Sequence, residues 1–229
     1  MKSILVIAAH PDDEILGCAG TIAKHIKAGD QVNTLILSEG VTSRAVIRDR
    51  EKAQDELSVL AHAAHKAGEI LGVTSTKLEG FPDNRMDSCD LLDVVKSIET
   101  SIHTFLPEII YTHHGGDLNI DHRVIHEAVM TACRPLPGQS VKSILFFEIP
   151  SSTEWQLPFS APTFTPNWYV NISDTLHLKL EALMAYESEM REWPHPRSLK
   201  AVEYLSRWRG TNVGVEAAEA FILGRRLEN

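Results

Sequence analysis

Four side chains that could bind a metal or carry a proton lie within five residues of one another near the start of the chain: His10, Asp12, Asp13 and Glu14. They directly follow a short apolar run, residues 4–9, which is typical of a strand buried on both faces of a parallel sheet. Carboxylates crowded at one strand end repel each other unless a cation lies among them, and imidazole nitrogen and carboxylate oxygen are both good ligands for Zn²⁺. The pattern therefore predicts a metal site, although a helix N-cap, which needs only one acid, is a compatible explanation.

A second polar cluster, residues 113–122, follows another apolar stretch and ends in Asp121 and His122. The carboxyl ends of parallel strands lie at one edge of a sheet, where open α/β sheets bind ligands, so the two clusters can converge. Two histidines and one carboxylate, with a water in the open position, form a common catalytic zinc set. In such a site the metal lowers the pKa of the water, a free carboxylate accepts its proton, and an acid such as Asp121 can orient the adjacent histidine ring. The histidines left open between ligand, catalytic and structural roles are His113, His114, His122, His126 and His195.

Apolar strand patterns alternate with amphipathic helix patterns along the chain, which predicts an α/β fold with right-handed crossovers. The predicted class is a Rossmann-like, mostly parallel sheet flanked by helices on both faces. No linker or internal repeat interrupts the pattern, so residues 1–229 are predicted to form one domain. Strands are predicted at 2–9, 31–38, 73–79, 107–112, 143–149 and 169–172, helices at 14–28, 45–71, 87–105, 123–133, 175–190 and 199–210, and a short segment of unassigned type at 217–225.

Two stretches outside these elements are candidates for contact with a substrate. The proline-rich stretch 150–168 is long for a structureless connection, which favours a loop that lines a site or covers a partner surface. Arg44, Arg48 and Arg50 lie at the start of a helical pattern, where basic residues oppose the helix dipole. Each of the three arginines fits either a solvated helix face or a contact with an anion or a sugar hydroxyl.

Composition excludes several classes of partner. The formal net charge of -9 disfavours nucleic acid and anionic membranes, which bind basic patches. The three cysteines are scattered and odd in number, which suits a reducing compartment. No stretch has the pattern of a signal peptide or membrane helix, so we expect a cytoplasmic protein with no membrane insertion. The G-x-G-x-x-G fingerprint of dinucleotide binding is missing after the first predicted strand.

Several of these motifs together resemble the LmbE/PIG-L family of zinc-dependent N-deacetylases. The resemblance is carried by residues 9–14, by Asp121 and His122 opening a later helix, by residues 81–84 and by residues 218–221. It covers most of the chain. The family includes the deacetylases of mycothiol and bacillithiol biosynthesis and of N-acetylglucosaminyl-phosphatidylinositol.

The resemblance implies a role for each residue of the two polar clusters. Zinc, or another divalent transition metal, would be held by His10, Asp13 and His122. Asp12 would act as general base, so that the adjacent carboxylates divide the work, one on the metal and one on the water. Asp121 would orient a ligand.

The chain departs from the family at one position. Asn119 stands where several members carry a histidine that stabilises the oxyanion or protonates the leaving amine, and a neutral amide cannot deliver a proton. His113, His114 or His195 could take that role, and His195 is favoured because some members use a C-terminal histidine near the oxyanion. The candidate substrate contacts are Arg44, Arg85, Asn119 and Arg197.

The function implied by the resemblance is hydrolytic removal of an N-acetyl group from an N-acetylglucosamine-type sugar or conjugate. The partner would be a small N-acetylated molecule, and the family leads us to expect a homo-oligomer. Two alternatives stay open: an amidase or deacylase acting on a non-sugar N-acyl metabolite, and a catalytically silent relative that binds metal. The silent relative is disfavoured because structural zinc sites are usually rich in cysteine, which this set lacks.

Overall fold

The computed structural model describes residues 1–228. The strands are β1 (Ser3–Ala8), β2 (Gln31–Ser38), β3 (Ser75–Phe81), β4 (Ile109–His113), β5 (Ser143–Phe147), β6 (Trp168–Asn171) and β7 (Ala218–Arg226). The helices are α1 (Asp13–Lys27), α2 (Gln54–Leu71), α3 (Leu91–Phe105), α4 (Ile120–Ala132), α5 (Leu176–Met184) and α6 (Leu199–Thr211). The strands form one sheet in the order β3-β2-β1-β4-β5-β7-β6. The predicted Rossmann-like class, with a mostly parallel sheet, is confirmed.

Helices cover both faces of the sheet because the side chains of each strand alternate between two cores. In β1, Val6 packs into a core with α1, α2, α5 and α6, whereas Leu5 packs into a second core with α3 and α4. Both residues are fully buried, as the apolar run in the sequence predicts. Within residues 1–228, no helix combines the length and apolar composition needed to cross a membrane.

The order of the strands places the start of the chain at the centre of the sheet. β1 pairs in parallel with β2 on one side and with β4 on the other. The chain runs from β1 outward to β2 and β3, and then crosses back to β4 on the other side of β1. The strand order therefore reverses beside β1. Ligands bind at such a switch point, beyond the carboxyl ends of the strands.

The predicted helix at 45–71 is wrong in its first part, because α2 begins only at Gln54. The buried carboxylate of Glu39 accepts hydrogen bonds from Arg48 at 2.6 Å and pairs with Arg50 at 2.8 Å. These two contacts hold residues 45–53 as a loop against the end of β2. Arg48 and Arg50 thus bind an internal acid, and neither a solvated helix face nor a contact with a substrate describes them.

Two further elements, both in the last third of the chain, differ from the prediction. α5 ends at Met184 and not at 190, and the chain then turns so that the Tyr186 hydroxyl lies 2.5 Å from a carboxylate oxygen of Glu14. The unassigned segment 217–225 is strand β7, which inserts antiparallel between β5 and β6. The other predicted strands and helices are present with ends shifted by a few residues.

Candidate metal centre and active site

Three side chains from two distant parts of the sequence converge at the carboxyl edge of β1 and β4. His10 follows β1, Asp13 opens α1, and His122 lies in the first turn of α4. His10 Nδ1 and His122 Nε2 each lie 3.2 Å from Asp13 Oδ2. The three ligand atoms are within 4.8 Å of one another, which is close enough to share one ion. They line a polar cavity of about 220 Å³ that opens to solvent.

The donor set fits a divalent metal on its own chemistry. Both ring nitrogens of His122 are buried, and in the described part of the chain neither has a partner with hydrogen-bond geometry. An unsatisfied buried nitrogen is costly, and a metal bond would remove that cost. Burial lowers the pKa of His122, but Asp13 and Asp117 outweigh it and raise this pKa to about 9, so the site attracts positive charge. Two imidazoles and one carboxylate are a common zinc set.

The other nitrogen of His10 faces two acids. His10 Nε2 lies 3.0 Å from Asp121 Oδ2 and 3.3 Å from Asp83 Oδ1. Asp121 also accepts the backbone N–H groups of Asn84 and Met86, at 2.6 and 2.9 Å. A carboxylate on the distal nitrogen fixes the tautomer and orientation of a ligating histidine. The structure thus places Asp121 against His10 and not against its neighbour His122, so its role as the group that orients a ligand is predicted to act on His10.

The acid beside His122 is Asp117, which the sequence analysis did not single out. Its Oδ1 lies 3.1 Å from His122 Nδ1, and both carboxylate oxygens are also bonded by hydroxyls, those of Ser152 and Thr153. Burial opposes ionisation of Asp117, but the charge of His122 outweighs it and lowers the pKa of this carboxyl. The proline-rich loop thus contributes to the site, as predicted, through its first residues.

Asp12 is a buried carboxylate beside the metal ligands and lines the same cavity. Its backbone has φ 119°, in the left-handed region, which is uncommon for a residue other than glycine and occurs often at functional sites. Burial and the charge of Asp13 raise the pKa of Asp12, while Arg197 opposes that shift. Arg197 Nη1 lies 3.3 Å from Asp12 Oδ2. A carboxylate with a raised pKa is a stronger general base.

Asp83 is another acid that sequence reasoning did not place in the site, although it belongs to the motif at residues 81–84. It accepts the backbone N–H of Ser43 at 2.9 Å and an amide N–H of Asn84. Burial opposes ionisation, but the hydrogen bond and charge of His10 lower the pKa of Asp83 to about 2. The signal that could have found it is its position just after β3, at the same edge of the sheet.

The histidines considered as proton donors lie in different surroundings. His113 stacks on His122 with ring centroids 3.9 Å apart, and its Nε2 accepts the backbone N–H of Ala9. Burial and the charge of His122 lower the pKa of His113, and its hydrogen bond ties the ring to the backbone at the end of β1. His114 Nε2 lies 2.8 Å from the Pro162 carbonyl and His114 is not part of the cavity lining, so its catalytic role stays a prediction that this placement does not favour.

His195 lies at the rim of the site. Its Nδ1 accepts the backbone N–H of Arg197 at 3.1 Å, and its ring contacts Trp155. His195 is thus connected to the cavity through Arg197, which lines it. Its role as a proton donor stays a prediction.

The four predicted substrate contacts divide into three in the cavity and one outside it. Arg44, Asn119 and Arg197 line the cavity. Arg85 lies outside the cavity lining and donates to the carbonyl of Val46 at 3.2 Å, so the structure does not favour its predicted substrate contact. Asn119 is the N-cap of α4 and also donates to Asn84 at 2.8 Å, which leaves its side chain little freedom.

Glu189 is a further cavity residue that gave no signal in the sequence. Its carboxylate accepts from Arg44 at 2.6 and 2.8 Å and lies 3.8 Å from Arg197. It therefore holds Arg44 and Arg197 in place and offsets part of their charge. A third arginine of the cavity lining, Arg191, donates instead to the backbone carbonyls of Ser188 and Met190.

The fold and this site define a Rossmann-like α/β protein with a candidate metal centre at the carboxyl edge of its sheet. The chain belongs to the PIG-L family: the family's sequence model, described as GlcNAc-PI de-N-acetylase, matches residues 5–133. The resemblance inferred from the sequence is confirmed. The matched region includes all three candidate metal ligands and Asp12.

Two relatives of similar sequence are named as deacetylases. The chain is 30% identical over 193 residues to the uncharacterized deacetylase YaiS of Escherichia coli, covering 82% of this chain and 91% of that protein. It is 28% identical over 216 residues to the diacetylchitobiose deacetylase of Thermococcus kodakarensis, covering 84% and 72%.

The same fold also occurs in a protein of different activity. The crystal structure of GalB, the 4-carboxy-2-hydroxymuconate hydratase of Pseudomonas putida, has a TM-score of 0.72 to this chain at 23% identity. The similarity covers 100% of this chain and 99% of that one. Fold alone therefore does not select the reaction, and the argument for function has to come from the site.

Proposed function

We propose that this protein is a zinc-dependent N-deacetylase that removes the acetyl group from an N-acetylglucosamine-type sugar or conjugate. The observation that supports this most strongly is the convergence of His10, Asp13 and His122 on one point, with the separate carboxylate of Asp12 beside them. A metal that polarises the carbonyl and a nearby base that accepts the proton of a water together can hydrolyse an unactivated amide.

The residues of the site divide the work of amide hydrolysis. His10, Asp13 and His122 would hold the zinc, which would polarise the acetamide carbonyl and lower the pKa of a water. Asp12 would accept a proton from the attacking water. Arg197, whose Nη1 lies 3.3 Å from Asp12 Oδ2, fixes the direction of that carboxylate. A C–O bond to the carbonyl carbon would replace the C–N bond, and the proton taken up by Asp12 would pass to the leaving nitrogen, which gives acetate and a free amine.

The lining of the cavity favours a polyhydroxylated substrate. Apart from Pro11, Leu16, Gly40 and Ile149, it consists of polar or charged residues. Among these, the guanidinium of Arg44 supplies donors, and the hydroxyls of Ser43 and Ser151 can both donate and accept. Such an array matches the hydroxyls of a sugar better than the apolar body of most acyl metabolites. The non-sugar amidase and the silent relative stay as alternatives, and a cytoplasmic location and a homo-oligomer stay predictions.

The test is acetate release by purified protein. N-acetylglucosamine and N,N′-diacetylchitobiose represent the sugar substrates, and N-acetyl amino acids represent the non-sugar amides. We expect acetate from a sugar, loss of release after chelation, and recovery with added Zn²⁺. Asp12→Asn should abolish release, while Asp87→Asn, at an exposed carboxylate, should not.

Other outcomes select between the alternatives. Acetate from the amino acid amides alone would favour the non-sugar amidase. Zinc binding without release from any amide would favour the silent relative, and hydration of 4-carboxy-2-hydroxymuconate would favour the chemistry named for GalB. Undiminished release by Asp12→Asn would remove this carboxylate from the mechanism.

A further inference from the structure

Helix α1, whose first turn carries the candidate metal ligand Asp13, is not continuous. Cys18 has φ −153° and ψ 23°, outside the helical range, so the helix is divided into a first part, residues 13–17, and a second part, residues 19–27. A break in a buried helix frees backbone N–H and carbonyl groups from their partners in the ladder. Buried groups of this kind need other partners.

Those partners come from a buried ion pair contributed by α5 and β7. Glu219 accepts the backbone N–H groups of Gly20 and Thr21, at 3.0 and 2.7 Å. Lys179 donates to the carbonyl of Leu16 at 2.8 Å and to Glu219 at 2.6 Å. Both side chains are less than 5% exposed. The pair thus bonds to both parts of the divided helix and connects them.

A second buried contact holds the beginning of the first part. The Tyr186 hydroxyl donates to Glu14 at 2.5 Å, and the other carboxylate oxygen of Glu14 accepts the backbone N–H of Asp12 at 3.1 Å. Gly17, at the end of the first part, lies against Phe147 so closely that a Cβ there would be 2.6 Å from the ring. The first part is therefore fixed at both ends by residues that lie outside the cavity.

Building a buried ion pair is a poor way to gain stability alone, since its desolvation cost often exceeds its Coulombic gain. Its geometric effect is different. If α1 were straight, the direction of its first turn would follow from the packing of the second part on the sheet. Because of the break, the packing of the second part does not determine the direction of the first part, and the ion pair can determine it instead.

We propose that Lys179 and Glu219 are positioning residues: they set the orientation of the first part of α1, and thereby the placement of Asp13 on the metal and of Asp12 beside it. The inference rests on the proposed metal site. It does not depend on which amide the protein hydrolyses. A displacement of about 1 Å in such a group can cost up to about 100-fold in rate, so the orientation matters to the chemistry.

The test is zinc affinity, measured by titrating metal-free protein in competition with a chromogenic chelator. Glu219→Gln keeps the shape of the side chain but replaces one acceptor oxygen with a donor, and Lys179→Met removes the ammonium while keeping the length. We expect each to weaken zinc binding about tenfold, as changes to groups that orient ligands do. The d–d bands of the Co²⁺-loaded protein should shift in both variants, and kcat should fall more than KM rises.

The matched control is Thr34→Val, at a buried residue on β2 whose hydroxyl donates to Thr76 at 3.0 Å. It removes a buried polar contact away from the site, so it should lower the unfolding temperature but leave zinc affinity and the Co²⁺ bands unchanged. Tyr186→Phe removes a single hydroxyl and provides a second test at the other end of the first part. If Glu219→Gln does not fold, Tyr186→Phe and Lys179→Met decide the question, with the same weakening expected.

The proposal is overturned if the variants that fold bind zinc as tightly as the wild type, or if Thr34→Val weakens binding equally at equal loss of stability. In either case the metal site itself would stand. A wild type that binds no zinc would be a different result, because it would remove the metal site and this role with it.

Discussion

His10 faces a different pair of side chains on each side of its ring, and the two pairs differ in their hydrogen bonding. On the side of Nδ1 lie Asp13 and His122, and on the side of Nε2 lie Asp83 and Asp121. Either group, with His10, has ligand atoms close enough to share one ion. Distance alone therefore identifies two candidate metal sites.

Hydrogen bonding separates them. Asp121 accepts two backbone N–H groups, and Asp83 accepts one backbone N–H and one amide N–H. These carboxylates are held in place by the protein. On the other side, the nitrogens of His122 lack partners of good geometry in the described chain. A carboxylate held in this way can orient a ligating histidine, whereas a buried nitrogen without a partner is satisfied by a metal bond.

The largest effect is expected from Asp13→Ala, on the Nδ1 side of His10. It removes the oxygen that lies 3.2 Å from both imidazoles, so zinc binding should be lost and activity should fall below detection. Metal analysis of the purified variant, beside the wild type, checks this. One equivalent of tightly bound zinc in the variant would exclude Asp13 as a ligand.

Asp12→Asn should separate metal binding from catalysis on the same side. The amide cannot accept the water's proton, so turnover should fall by roughly 10²–10⁴-fold, the usual contribution of a general base. The zinc content should stay that of the wild type, because His10, Asp13 and His122 are untouched. Zinc content and turnover measured on one preparation give the answer, and joint loss of both would argue against the division of work between Asp12 and Asp13.

Asp121→Asn tests the Nε2 side of His10 and should have a smaller effect. We expect zinc affinity to fall by about 10–100-fold, the range found when a group that orients a ligating histidine is changed. The same chelator competition measures it. Complete loss of zinc here, with tight binding kept in Asp13→Ala, would exchange the roles of the two sides.

The smallest effect is expected from Arg85→Ala. Arg85 bonds to loop carbonyls away from the cavity, so turnover and KM should both stay within about twofold of the wild type. Arg44→Ala, in the cavity lining, is the matched comparison and should raise KM. Equal effects of the two substitutions would mean that the cavity extends further along the 45–53 loop.

The sequence was enough to predict that the three candidate metal ligands come together. His10, Asp13 and His122 converge because each follows the carboxyl end of a parallel strand, and strand order is constrained by the apolar patterns and crossover rules. It was not enough to predict which acid bonds to which histidine. Asp121 lies next to His122 in sequence, but the start of α4 at its Asn119 cap directs the Asp121 side chain to His10 instead.

Elements fixed by distant contacts were also missed. The helical pattern at 45–53 does not form a helix, because two arginines of that stretch bind the buried Glu39. The segment that becomes β7 carries no local sign that it will insert antiparallel between β5 and β6. Such outcomes depend on partners far away in sequence, and local propensity cannot encode them.

The central claim is that a metal lies on the Asp13 side of His10. X-ray diffraction from zinc-loaded crystals, with anomalous data recorded at the zinc edge, locates the ion directly. We predict one strong anomalous peak in contact with His10, Asp13 and His122. A peak held instead by Asp83 and Asp121, or no peak in this cavity at a zinc concentration that saturates the protein, would contradict it.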